Sequence, residues 1–134
     1  MIITKSIYKN SNIARVKFIL ESLEEFSNKK EQVQTDGLTI DHIIPQTLTS
    51  EWKQTLGVNY GTIKTKWLHT LGNLTLTGYN SELSNKTFDE KKIIYKNSNV
   101  YLNKYFQNIN NWNEESIKKR AEELADIAVK LWPR

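Results

Sequence analysis

Leu38-Thr39-Ile40-Asp41-His42-Ile43-Ile44-Pro45 is the stretch on which the fold turns. It alternates in polarity, is rich in β-branched residues and runs into a proline, so it predicts a short strand that Pro45 stops. A histidine beside a carboxylate at a strand end has two chemical uses. The imidazole takes a proton from water near neutral pH, and the neighbouring carboxylate holds a hard cation through oxygen. By itself the Asp41-His42 pair reads as a polar strand end. Its spacing to residues further along the chain changes that.

Working outward toward the C-terminus, residues 49–56 predict a short helix with Trp52 and Leu56 on one face and Gly57 placed to end it. Residues 59–71 are ambiguous, with helix the preferred reading over Thr62–Leu71. Asn73-Leu74-Thr75-Leu76-Thr77 is the second strand, bracketed by Gly72 and Gly78. The polar segment 79–87 reads as a turn, 88–97 as a helix and 99–107 as another. Asn113-Glu114-Glu115 opens the clearest helix: Asn113 caps it, and the two glutamates suit the positive N-terminal end. Its buried stripe is Ile117, Ala121, Leu124, Ala128 and Leu131, and Pro133 follows Trp132 to end it. Toward the N-terminus, Val16, Ile19, Leu20, Leu23 and Phe26 recur at helical spacing over 12–27, with Ser11 or Asn12 as the cap. The polar run 27–37, ending in Asp-Gly, reads as a loop. These elements make a mainly helical α+β fold in one domain spanning 1–134.

The 134 residues are 38% hydrophobic and 25% charged, and four Trp, six Tyr and four Phe supply enough apolar surface for a core. The Trp residues sit near apolar neighbours and are expected in that core rather than as base-stacking platforms. Nineteen Lys and Arg against fifteen Asp and Glu give a formal charge of +4, a mild bias that suits a polyanionic partner. There is no Cys, which excludes disulfides, thiolate zinc sites and cysteine nucleophiles. No run approaches the ~20 apolar residues needed to span a bilayer, and the start shows no signal peptide, so a cytoplasmic location without membrane contact is expected.

His42 and His69 are the only histidines. Asn73 begins the second strand some thirty residues after Asp41-His42, and Asn80 follows in the polar turn before the helix at 88. A β-hairpin followed by a helix and carrying Asp-His, then Asn, then Asn, is the ββα-metal layout. Asp41-His42-Ile43-Ile44-Pro45-Gln46 resembles the first motif of the HNH (His-Me finger) nucleases. The rest of the chain resembles one branch of them: Trp52, Leu71-Gly72-Asn73-Leu74-Thr75-Leu76, Asn80, Leu83-Ser84-Asn85-Lys86, Phe88 and Lys91. Trp112, Ile117, Arg120, Leu124-Ala125 and Leu131-Trp132-Pro133 extend the likeness. That branch is the C-terminal nuclease domain of GmrSD-type modification-dependent restriction enzymes.

The resemblance implies a metal-dependent DNA endonuclease, the cutting module of a phage-defence restriction system. His42 would be the general base, Asp41 and Asn80 the ligands of Mg²⁺ or Mn²⁺, and Asn73 a brace that helps orient His42. Asn85 is the alternative to Asn80. Many members carry Glu-His where this chain has Asp41-His42, which bears on where the metal sits. His69 reads either as a phosphate contact or second metal-site residue, or as a residue packing on the hairpin. Lys86, Lys91 and Lys92 read either as DNA phosphate contacts or as a solvated helix face, with Lys86 the best placed. The chain has no Gly-x-x-x-x-Gly-Lys-Ser/Thr run. A nucleotide-hydrolysing sensor domain is therefore expected elsewhere, in cis or as a partner subunit, and the chain is expected to be part of a larger protein. The competing readings are a non-catalytic DNA-binding module of the same shape and an HNH-class RNase or toxin nuclease.

Overall fold

Two short strands lie antiparallel, β1 (Thr39–His42) and β2 (Leu74–Thr77), with His42 opposite Leu74, Asp41 opposite Thr75 and Ile40 opposite Leu76. In the computed structural model the described residues are 7–8, 12–27 and 33–133. Successive side chains leave a strand on opposite faces. Ile40, His42, Leu74 and Leu76 therefore share one face of the pair, and Asp41, Thr75 and Thr77 share the other.

The helices, in order, are α1 (Ile13–Ser27), α2 (Ser50–Leu56), α3 (Tyr60–Trp67), α4 (Asn80–Leu83), α5 (Phe88–Lys96), α6 (Tyr101–Lys104) and α7 (Glu114–Leu131). The fold is thus mainly helical α+β, as expected. The stripe on α1 buries Val16, Leu20 and Leu23 against Leu74 and Leu76 of β2, Leu102 of α6 and Leu124 of α7. A second cluster gathers Ile43, Ile44, Trp52, Trp67, Phe88, Tyr95, Phe106 and Trp112. Three of the four Trp are core as expected, but Trp132 at the end of α7 is exposed.

Capping follows the sequence reading at Asn113 and Gly57, and Thr49 adds a cap that the sequence reading does not name. The Asn113 side chain accepts from Ser116 N and opens α7, Thr49 does the same for α2, and Gly57 closes α2 at φ 85. The stripe on α7 is fully buried at Ile117, Ala121 and Leu124, and thins to half-buried Ala128 and Leu131. Gly72 is required where α7 crosses the start of β2: a Cβ there would stand 2.3 Å from the Ile117 carbonyl oxygen. Arg120 locks the crossing by donating from Nη1 to the carbonyls of Gly72 (2.9 Å) and Leu74 (2.7 Å).

Several boundaries differ from the sequence reading, each for a local reason. The first strand ends at His42 because Ile43 and Ile44 bond Asn73 instead of a ladder partner: Ile43 N donates to Asn73 O, and Ile44 N to Asn73 Oδ1. The helix expected over 62–71 runs from 60 to 67, where the Thr70 hydroxyl takes up the Trp67 carbonyl, and Leu71–Asn73 form a 3-10 turn. The polar turn 79–87 contains the one-turn α4. The helix expected from 99 starts at Tyr101 because the Glu24 carboxylate of α1 accepts from Tyr101 N and Leu102 N, and it continues as a 3-10 turn over Tyr105–Asn108. The expected cap Ser11, and residues 28–32 of the expected loop, lie outside the described residues.

Candidate functional site

The last two residues of β1 point to opposite sides, and each meets a different set of partners. Asp41 faces α5. Phe88, Lys91 and Tyr95 are spaced three and four apart on α5, so they share its inward face, and all three are buried. The Lys91 ammonium lies 3.3 and 3.4 Å from the two Asp41 carboxylate oxygens and donates to the His42 carbonyl at 2.7 Å. The Tyr95 hydroxyl donates to Asp41 Oδ2 at 2.6 Å. Burial pushes the Asp41 carboxyl above its ordinary range, while Lys91 and Tyr95 pull it back. Burial likewise pushes Lys91 down against the opposing pull of Asp41.

His42 faces the other way. Its Nε2 lies 3.0 Å from Nδ1 of His69, in the turn after α3. Tyr8 stacks on the His69 ring (5.3 Å between centroids, 18°) and meets the His42 ring edge-on (4.6 Å, 84°). The backbone of Ile7 and Tyr8 is fixed there by donating to the His69 carbonyl at 2.9 and 3.2 Å. Burial, then His69, then Lys91 hold His42 well below an ordinary imidazole, at about 3. The ring is therefore neutral at pH 7, the state in which an imidazole accepts a proton. Nδ1 of His42 has no hydrogen-bond partner among the described residues and is not one of the buried orphaned atoms. His42 lines a cavity of about 420 Å³.

That cavity is polar. Its lining combines Tyr8, the β1 residues Ile40, Asp41 and His42, Pro45–Thr47, and Asn80, Ser84 and Asn85 of the α4 segment. Asn80 opens α4 and is tied to β1 by donating from Nδ2 to the Ile40 carbonyl at 3.3 Å. Ser84 closes α4 with φ 38, a strained backbone for a residue with a Cβ. A similar volume lies between α1, α6 and α7, lined largely by apolar side chains with Lys104, Arg120 and Glu123, and it shares no lining residue with this cavity.

The expected site residues thus divide. Asp41, His42, Asn80 and Asn85 converge on one cavity. Asn73 is fully buried and touches neither ring: besides accepting from Ile44 N, its side chain accepts from Trp112 Nε1 and donates to the carbonyls of Ile44 and Leu68. It braces the residues immediately after His42. Lys86 is exposed near Asn85. Lys91 corrects the sequence reading: it is wholly buried and bonded to Asp41 and His42, so it offers nothing to a DNA phosphate. Lys92 is half-buried, its ammonium over the Phe88 ring. Tyr8 and Tyr95 were not singled out from the sequence. The signal for Tyr95 was present, because a lysine and a tyrosine on the same stripe as Phe88 form a buried cation and hydroxyl in need of an acceptor. Tyr8 sits outside every periodic segment and carried no such signal.

A family model described as GmrSD restriction endonucleases, C-terminal domain, matches residues 2–127 of the 134. The chain belongs to that family. No curated protein matches it.

Proposed function

We propose that this member of the GmrSD C-terminal domain family is the DNA-cleaving module of a modification-dependent, phage-defence restriction system. In this reading it hydrolyses phosphodiester bonds at the cavity between β1 and α4, with β1, β2 and the α4–α5 segment as an HNH (His-Me finger) ββα-metal core. The observation that carries the reading is His42: a buried neutral imidazole in the lining of a cavity that Asp41 and Asn80 also line. A water in that cavity would lose a proton to Nδ1. Its oxygen lone pair then forms the new P–O bond, while the leaving sugar oxygen keeps the electron pair of the bond that breaks.

The donor chemistry of the cavity fits a hard divalent cation, Mg²⁺ or Mn²⁺. Its lining residues Asp41, Gln46, Thr47, Asn80, Ser84 and Asn85 carry carboxylate, amide and hydroxyl oxygens, and the chain has no thiol. Among the described residues no three His, Asp or Glu side chains cluster as a metal-ligand group. The protein's contribution would therefore be sparse: an Asp41 oxygen and the amide oxygen of Asn80, leaving positions for water and phosphate. Two hydrogen-bonded neighbours do not exhaust a carboxylate, which has about four acceptor positions. Asn80 is favoured over Asn85 because its bond to Ile40 O fixes it beside the residue preceding Asp41. When bound, such a cation supplies Lewis-acid stabilisation of the charge on the phosphate and the leaving oxygen. Lys86, exposed beside Asn85, would meet a neighbouring phosphate. Recognition of the modification and nucleotide hydrolysis are assigned to a separate sensor domain or subunit.

Parallel digestion of supercoiled duplex DNA, single-stranded DNA and RNA, with Mg²⁺ or Mn²⁺ and with chelator, tests the reading. Cleavage of duplex DNA that requires metal supports it. Digestion of RNA alone would move the chain to the ribonucleases. No cleavage of any substrate would leave a binding module.

A further inference from the structure

We infer that His69 is the positioning residue of His42: a hydrogen bond from His42 Nε2–H to His69 Nδ1 holds His42 in the tautomer whose Nδ1 is bare and faces the cavity. The inference rests on the reading of His42 as the base. It gives His69 a role distinct from both a phosphate contact and a metal ligand.

The two ring nitrogens are 3.0 Å apart, and a hydrogen bond between two neutral imidazoles needs one donor and one acceptor. If His69 donated, His42 would carry its proton on Nδ1, and its only lone pair would be tied up in that bond. If His42 donates, Nε2 is anchored and Nδ1 is left as a lone pair toward the cavity. Only this second arrangement gives a base at the cavity wall. His69 is itself held in place. Its carbonyl accepts from the Ile7 and Tyr8 amides, and the Tyr8 ring covers its face and abuts the edge of His42. The His42 and Ile40 carbonyls of β1 have other donors, Lys91 and Asn80 respectively. His69 is the hydrogen-bond partner that His42 Nε2 has. A fixed partner on the far nitrogen of a catalytic imidazole sets both tautomer and ring angle, a device that recurs in metal-site and triad histidines. The Nδ1 of His69 remains an acceptor after His42 takes a proton, so the bond persists and spreads the imidazolium charge.

The test compares wild type with His69→Asn and His69→Phe in the full chain. Asn puts an amide oxygen close to where Nδ1 stands; Phe keeps the stacking with Tyr8 and removes the acceptor. Long-range ¹H–¹⁵N spectra of ¹⁵N-histidine protein at pH 7 read the tautomers directly, since only two histidines contribute. We expect His42 as the Nε2–H tautomer in wild type and in His69→Asn, and a mixture in His69→Phe. Single-turnover cleavage should show His69→Phe losing roughly 10- to 100-fold in rate at saturating DNA, with DNA affinity unchanged, and His69→Asn restoring most of it. An Nδ1–H tautomer of His42 in wild type, undiminished cleavage by His69→Phe, or a loss confined to DNA affinity would each overturn the inference. If wild type cleaves nothing, the proposed function fails, and the spectra still decide whether His69 fixes His42.

Discussion

Replacing Lys91 tests the inner wall of the site. The Lys91 side chain is 0% exposed and that of Asp41 4%, so both charges are largely withdrawn from water. Removing one member of such a pair leaves the other buried without its partner, which costs about 3–5 kcal/mol. The Tyr95 hydroxyl stays on Asp41 at 2.6 Å, and a proton can settle on a carboxyl that burial already pushes upward. Lys91→Met is therefore expected at the lower end, about 3 kcal/mol. Asp41→Asn strands the ammonium against the His42 carbonyl and should cost about the same. The double variant removes both charges together and should cost clearly less than the sum, a coupling of at least about 2 kcal/mol. An exposed ion pair would give about 1 kcal/mol or less. Urea denaturation, followed by the fluorescence of the buried Trp52, Trp67 and Trp112, measures all four proteins. Additivity within about 0.5 kcal/mol would refute the reasoning.

Other substitutions follow from the same packing. Gly72→Ala should destabilise the fold by more than about 2 kcal/mol, since the new methyl meets the Ile117 carbonyl at 2.3 Å and backbone cannot step aside; a midpoint within error of wild type would contradict it. Asn73→Ala should cost about 3 kcal/mol or more, because it strands the buried Ile44 amide and carbonyl and the Trp112 indole N–H; a loss under about 1 kcal/mol would mean those groups find other partners. Stability should also fall on acidification. The folded state keeps His42 neutral down to about 3, whereas the unfolded chain protonates it near 6.5, so stability is complete above pH 6.5 and drains away as pH falls toward 3. In His42→Gln the fall between pH 6.5 and 4 should be shallower; an unchanged slope would remove His42 as its cause.

The helices were legible because their signals are local. Asn113 and Gly57 act at the residue where they stand, and the stripe Val16, Leu20, Leu23 needs only the helical period. The strands, and Asp41, His42, Asn80 and Asn85 among the residues of the cavity, were legible from the sequence, whereas Tyr8 and Ser84 were not. Nor were the partners of Asp41 and His42. Adjacent strand residues diverge, so Asp41 and His42 meet α5 and the turn after α3 respectively, fifty and twenty-seven residues away in sequence. Lys91 misled because a lysine in a helix is usually solvated, and only its phase with Phe88 and Tyr95 marks it as buried. The start at Tyr101 is set by a distant side chain, Glu24, and no local pattern reports that.

The central claim is that His42 acts as a base on water in the cavity between β1 and α4, and single-turnover cleavage of supercoiled plasmid by His42→Ala, with Mn²⁺ and protein in excess, tests it most directly. The account predicts metal-dependent cleavage by wild type and a loss of at least about 100-fold in a His42→Ala protein whose Trp fluorescence shows it folded. Equal rates for the two folded proteins would contradict it.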